Sequence, residues 1–178
     1  MKKFAGIIAA AIIGSLFSAG TASAATASLT AADNTCYTYK TSERSFAKKN
    51  NTARANAGIG KLSIDPELSR VAKLHTKEMV NAASGSIGGD DLFHSTSAQL
   101  TKRVTGGWTL LGENVGIGSS VSSLHSAFMN SSLHKANMMN GDFKHVGVGV
   151  ITKGDRMWVT VIFSAGADPS TSLSMPNC

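Results

Sequence analysis

The chain has 178 residues, with 17 Lys and Arg against 11 Asp and Glu for a formal charge of +6, 42% apolar residues and 16% charged ones. That length allows one or two domains, and a near-ordinary apolar share without a charge block excludes a disordered chain or a nucleic-acid-binding tail. Two cysteines exclude a disulfide-dense miniprotein and a four-cysteine zinc site.

In chain order, Met1-Lys2-Lys3-Phe4, an apolar run to Phe17 and then Ala22-Ser23-Ala24 read as the cationic start, core and cleavage site of a secretory signal over residues 1–24. The run is shorter than the ~20 residues a helix needs to cross a bilayer, so no transmembrane anchor is expected after cleavage. Removing 24 residues from 178 leaves 154, and losing Lys2 and Lys3 takes the charge from +6 to +4. The remaining basic residues, such as Lys48, Lys49, Arg54, Lys61 and Arg70, are scattered without interleaved aromatics, which argues against a nucleic-acid partner. An exported chain can keep a disulfide. Cys36 and Cys178 would then fasten the two ends of the mature chain together; two free thiols are the alternative.

Residues 25 to 34 are small and polar and read as a lead-in. A first helix is expected over Ser42 to Ala57, where Phe46, Ala53 and Ala57 recur at helical spacing and Gly58 supplies the stop. The second is better marked: Asp65 as N-cap, Pro66 at the first position, and Leu68, Val71, Ala72, His75, Met79 and Ala82 on one face until Gly85. Ser84 to Asp91, with three glycines, reads as a loop. Further helices are expected over Val121 to Asn130 and His134 to Met139, the latter closed by Asn140-Gly141. The period then changes. Val146, Val148 and Val150 alternate with glycines, and Trp158 to Phe163 is β-branched and aromatic, so Lys153-Gly154-Asp155-Arg156 joins an antiparallel hairpin. Helices early and strands late favour an α+β fold over a doubly wound sheet.

Nucleophilic catalysis has little support, since there is no Gly-x-Ser-x-Gly elbow and neither cysteine is placed as an activated thiol. His75 and Glu78 do not complete a His-Glu-x-x-His zinc helix, and His75 on an apolar stripe reads as a core or rim histidine. His125 and His145 have no acidic neighbour in a recognisable pattern. Three stretches say more: Leu92-Phe93-His94-Ser95, Leu111-Gly112-Glu113-Asn114-Val115-Gly116, and Phe128-Met129-Asn130-Ser131-Ser132-Leu133-His134-Lys135-Ala136-Asn137-Met138-Met139. By spacing alone each could be a cap or a surface group.

Together they resemble the CAP superfamily, also called SCP or PR-1-like, in its short bacterial secreted form. The likeness opens on Asn51-x-x-Arg54 with Gly58, Leu62, Asp65 and Leu68, and runs through Phe93-His94, Gly112-Glu113-Asn114 and Ser131-x-x-His134-x-x-Asn137 to Val146-Gly147-Val148-Gly149 and Trp158-Val159-Thr160. The resemblance implies a three-layer α-β-α sandwich around a central, mainly antiparallel sheet, with the domain over 42–166, a lead-in over 25–41 and a tail over 167–178. It also implies a cleft where two histidines and two glutamates face each other. His94, Glu113 and His134 match three of these; the second glutamate has no match, its place taken by Asn130 or Ser131. Asn114 is expected to hold the loop around Glu113, and Ser131 to support the site.

Two neutral imidazoles can ligate zinc or another divalent metal, with a carboxylate orienting one of them, so His94 and His134 are the candidate ligands of a weak, open site. The leading reading is a secreted, monomeric protein that binds a metal ion, a small lipid-like ligand or an envelope partner. The alternatives are a metal-assisted hydrolase of peptide or wall material, with His94, Glu113 and His134 as catalytic candidates, and a purely structural module.

Overall fold

The computed structural model describes residues 36–83, 92–105, 107–166 and 178. The expected signal peptide, the lead-in to residue 34, the glycine loop over 84–91 and the tail over 167–177 lie outside the described residues.

Among the described residues, five helices and four strands follow one another as α1 (Thr41–Asn56), β1 (Ser63–Ile64), α2 (Pro66–Ala82), α3 (Ser97–Arg103), β2 (Leu110–Gly118), α4 (Val121–Asn130), α5 (Ser132–Met138), β3 (His145–Lys153) and β4 (Arg156–Ala165). At the start of α1 the Glu43 carboxylate accepts the Lys40 backbone N–H at 2.8 Å, satisfying one of the donors a helix start leaves open. Its end turns at Gly58, whose φ of 70° favours glycine. Asp65 caps α2 as its sequence predicts, Oδ1 accepting the Leu68 N–H at 2.9 Å, with Pro66 in the first turn. The hairpin of β3 and β4 turns at Gly154. The fifth helix begins at Ser132, two residues before the expected start.

The sheet runs β1-β3-β4-β2, antiparallel except for the short parallel pair of β1 with β3. Alternation along the strands separates its two faces. Val146, Val148, Val150, Val159, Val161 and Phe163 pack with Phe46 of α1 and with Leu124 and Phe128 of α4. The opposite face is covered by α2, where Leu68, Val71 and Ala72 meet Leu111 and Ile162. The arrangement is the expected α-β-α layering.

Helix α2 lies unusually close to β3, and the sequence says how. A Cβ built on Gly147 would stand 2.1 Å from the Leu68 carbonyl carbon, and one on Gly149 2.2 Å from the Lys73 nitrogen. Only glycine admits backbone so near, which explains the alternating Val and Gly of this strand. Thr76 then reaches across the contact, its hydroxyl 2.8 Å from Ala72 O, 3.1 Å from Gly149 O and 2.9 Å from Thr160 Oγ1.

Cys36 and Cys178 are joined in a disulfide with Cα atoms 5.1 Å apart, as their positions at the two ends predicted. The Cys178 N–H also donates to Tyr37 O at 3.2 Å.

Candidate functional site

Among the described residues strand β2 is an edge strand, bonded only to β4. Sequence periodicity did not mark it, because Gly112, Glu113, Asn114, Gly116 and Gly118 break the apolar alternation. Those same residues build the site. The odd positions face α2: Leu111 and Val115 enter its apolar clusters, and Glu113 stands between them, 2% exposed. The even positions face α4 and α5, and a Cβ on Gly112 would meet Phe143 and Asn137, one on Gly116 Phe128.

A buried carboxylate is costly unless its oxygens are filled. Glu113 Oε1 accepts His94 Nδ1–H at 2.9 Å and the Ser95 backbone N–H at 2.8 Å, and Oε2 accepts the Ser95 hydroxyl at 2.8 Å. His75 Nε2 lies 3.9 Å from Oε1. Burial alone would push this carboxyl up; the bond from His94, the nearby His75 and the two bonds from Ser95 outweigh it and hold the group below the usual carboxylate range. Donation from Nδ1 fixes the orientation and tautomer of His94 and leaves its other nitrogen, Nε2, buried without a hydrogen-bond partner among the described residues.

His134 arrives from the other face of the sheet. It is fully buried on α5, tilted against the Phe128 ring at 4.4 Å, and among the described residues neither of its nitrogens has a hydrogen-bond partner. Burial, and secondly the charge of His94, lower its pKa to about 4, so near neutral pH this imidazole is uncharged.

What ties α5 to β2 is a pair of amides. Asn114 was expected to brace its own loop; its Nδ2 instead donates to the His134 carbonyl at 3.0 Å, while Asn137 Nδ2 donates to Asn114 Oδ1 at 2.9 Å and to Glu113 O at 3.3 Å. Asn114 thus places the helix that carries His134. Ser131 lies at the junction of α4 and α5, and its side chain makes no capping bond. Asn130, the last residue of α4, is exposed. His125 and His145 are buried or half-buried elsewhere, the first edge-on to Phe46 at 5.7 Å, the second at the start of β3.

Two contributors escaped the sequence reading. Ser95 is the main hydrogen-bonding partner of Glu113 besides His94, and nothing in a serine after a histidine announces it. His75 has 1% of its surface exposed and lies beside Glu113; the Glu three positions later was the one available signal.

Among the described residues no three His, Cys, Asp or Glu side chains gather as a metal cage. A metal would therefore rest on the two histidines, and the test of fit is whether they have nitrogens to offer. They do: among the described residues three buried imidazole nitrogens, His94 Nε2 and both of His134, lack partners, and the carboxylate behind His94 holds that ring as zinc sites commonly hold theirs.

Comparison with known proteins adds a family. A model of the CAP, or cysteine-rich secretory protein, family matches residues 48–163. The chain is 26% identical over 113 residues to the uncharacterized protein YkwD of Bacillus subtilis, covering 63% of this chain and 43% of that protein. Among solved structures, an extracellular SCP-domain protein of Bacillus anthracis aligns with a TM-score of 0.58 and 25% identity, covering 70% of this chain and 40% of that one. The chain thus spans less than half the length of either Bacillus relative. An outer surface protein of Borrelia burgdorferi shares the fold, with a TM-score of 0.58 at 22% identity over 69% of this chain and 91% of that one. So does a structure described as NaASP2 with Zn2+, with a TM-score of 0.51 at 13% identity over 77% of this chain and 86% of that one.

Proposed function

The chain belongs to the CAP, or cysteine-rich secretory protein, family, and from that premise we propose that it is an exported binding module of the extracellular space or cell envelope whose His94 and His134 take a divalent metal ion. Export is supported by the signal-like start of the sequence, by the Cys36–Cys178 disulfide and by relatives described as extracellular or outer-surface proteins.

The observation that carries the metal reading is the set of unpartnered buried nitrogens. A buried polar atom without a partner costs about 1–3 kcal/mol, and three such nitrogens on these two rings, unpartnered among the described residues, are a standing reason to take up an electrophile. His94 would offer Nε2, with Glu113 holding Nδ1–H; His134 is uncharged near neutral pH and has a lone pair free. The ion suited to neutral imidazoles is zinc or a similar late transition metal. When bound it supplies Lewis acidity; the protein supplies two nitrogens and a fixed carboxylate. Two protein ligands make an exchangeable site, in keeping with binding or delivery rather than a structural metal.

The test is elemental analysis of the purified protein after zinc loading and desalting, beside a His94→Ala, His134→Ala double variant. Zinc retained by the parent and lost from the variant is the expected result; equal zinc in both removes the ligand assignment.

A further inference from the structure

His75 is buried against the site, and neither of its ring nitrogens is idle. Nε2 lies 2.8 Å from the Phe93 carbonyl oxygen and Nδ1 3.2 Å from Glu78 Oε2. Both of these partners are acceptors only. The contact to Phe93 is a hydrogen bond with Nε2 carrying the ring proton and the carbonyl accepting. Charged side chains flank the ring. On its own helix is Glu78, which is gripped from α3 by two Arg103 guanidinium nitrogens at 2.6 and 3.0 Å. From β2, Glu113 Oε1 faces Nε2 at 3.9 Å. Arg103, Glu78, His75 and Glu113 thus follow one another from α3 through α2 to β2. The Phe93 ring closes the remaining side, edge-on at 5.3 Å.

We propose that His75 is a positioning residue of the site: donating from Nε2, it holds the Phe93 carbonyl and so delivers the next two residues to Glu113. The Phe93 carbonyl and the His94 N–H belong to one planar peptide, so fixing the carbonyl fixes where the His94 Cα stands. One residue further on, the Ser95 N–H and hydroxyl meet the same carboxylate. The anchor is a firm one. Helix α2 sits on β3 where only glycine admits backbone so near, and the Glu78–Arg103 pair fixes the far side of the ring. The segment that carries His94 leaves α2 through the glycine-rich stretch, and this hydrogen bond returns it to the same helix 18 residues later. The proposal concerns how the site is held and does not depend on the metal reading.

The experiment is amide hydrogen exchange by NMR on metal-free protein, comparing His75→Phe, which fills the space without a donor, with His75→Gln, whose amide can still donate to the Phe93 carbonyl. The readout is the Ser95 amide against the Val161 amide in the central strand β4. Ser95 exchange is expected to quicken at least tenfold relative to Val161 in the Phe variant and to recover in large part in the Gln variant. Unchanged Ser95 exchange in the Phe variant overturns the proposal. So does equal quickening of Ser95 and Val161, which would make His75 a core group only, and so does equal speed in the two variants. Should the Phe variant not fold, His75→Leu takes its place: it is smaller than the ring and likewise has no donor, and Ser95 exchange must again quicken selectively. Because no metal is present, loss of the zinc reading would leave this result standing, and the reverse holds too.

Discussion

Asn114 and Asn137 are joined amide to amide, Asn137 Nδ2 donating to Asn114 Oδ1 at 2.9 Å, across the gap between the edge strand β2 and helix α5. Each amide has a second attachment: Asn114 to the His134 carbonyl, Asn137 to the carbonyl of Glu113. The two candidate halves of the site, one on each face of the sheet, are therefore held in register by this pair.

Replacing Asn137 by alanine strips donors from two buried oxygens, and the cost is expected to be about 2 kcal/mol, with Asn114→Ala similar. Because the residues share a bond, the double variant is expected to lose less than the two single losses combined. Urea unfolding of the four proteins completes the cycle; strict additivity would mean that the amides act separately.

Arg54 makes a second prediction. Its guanidinium is fully buried and donates only to carbonyl oxygens, those of Gly60, Met138, Asn140 and Phe143. Two of these lie at the end of α5, where a helix leaves carbonyls open and favours a cation. Lysine keeps the charge and loses the planar fork, so Arg54→Lys is expected to cost about 2–4 kcal/mol. An unchanged denaturation midpoint in that variant would show that charge alone suffices.

Asp65 is expected to weaken the protein at neutral pH despite capping α2. Burial, aided by the charge of Glu67, raises its pKa from 3.8 to about 6 against the opposing bonds from the Leu68 and Glu67 backbone. A folded value above the unfolded one means that the stability tied to the proton is complete below about pH 4 and lost as pH rises through 6. Asp65→Asn keeps an oxygen for Leu68 and carries no charge. It is expected to be the more stable protein at pH 7, by up to about 3 kcal/mol, with the advantage fading by pH 4. Thermal unfolding across that range reads the difference; a variant weaker at pH 7 would refute it.

His134 works in the opposite sense. Its folded pKa of about 4 lies below the ordinary 6.5, so on acidification the unfolded chain takes a proton that the folded chain refuses. Its contribution is complete above pH 6.5 and declines as pH falls toward 4, by up to about 3 kcal/mol. In metal-free protein, His134→Leu is expected to remove that decline, so that the variant loses less stability than the parent between pH 6.5 and 4. Parallel pH profiles would place the ring in water rather than in the core.

What the sequence disclosed follows the physics of each element. Helices α1, α2 and α4 and the β3–β4 hairpin carry both period and punctuation, and Asp65-Pro66 even located a cap. Strand β2 stayed hidden because its residues include a glutamate, an asparagine and three glycines, which serve the site and the packing of Phe143, Phe128 and Leu124. Helix α3 is seven residues long with one buried side chain, Leu100, too little for a period to show. His94, Glu113 and His134 were visible only through family likeness; that His94 and Glu113 touch while His134 lies across the sheet needed the fold. His75 looked like core because it is on the core face of its helix, and its role depends on a carbonyl 18 residues away.

The bond between Cys36 and Cys178 makes the described domain a closed covalent loop. A linear chain cut once becomes two molecules, and the smaller is free to diffuse away; a loop cut once between these cysteines stays one molecule. For a protein exported as proposed above, a nicked loop keeps α2, β2 and α5 tethered at high effective concentration and able to close again around the same site. Severing the protein then takes two events, either two cuts or one cut and a reductant.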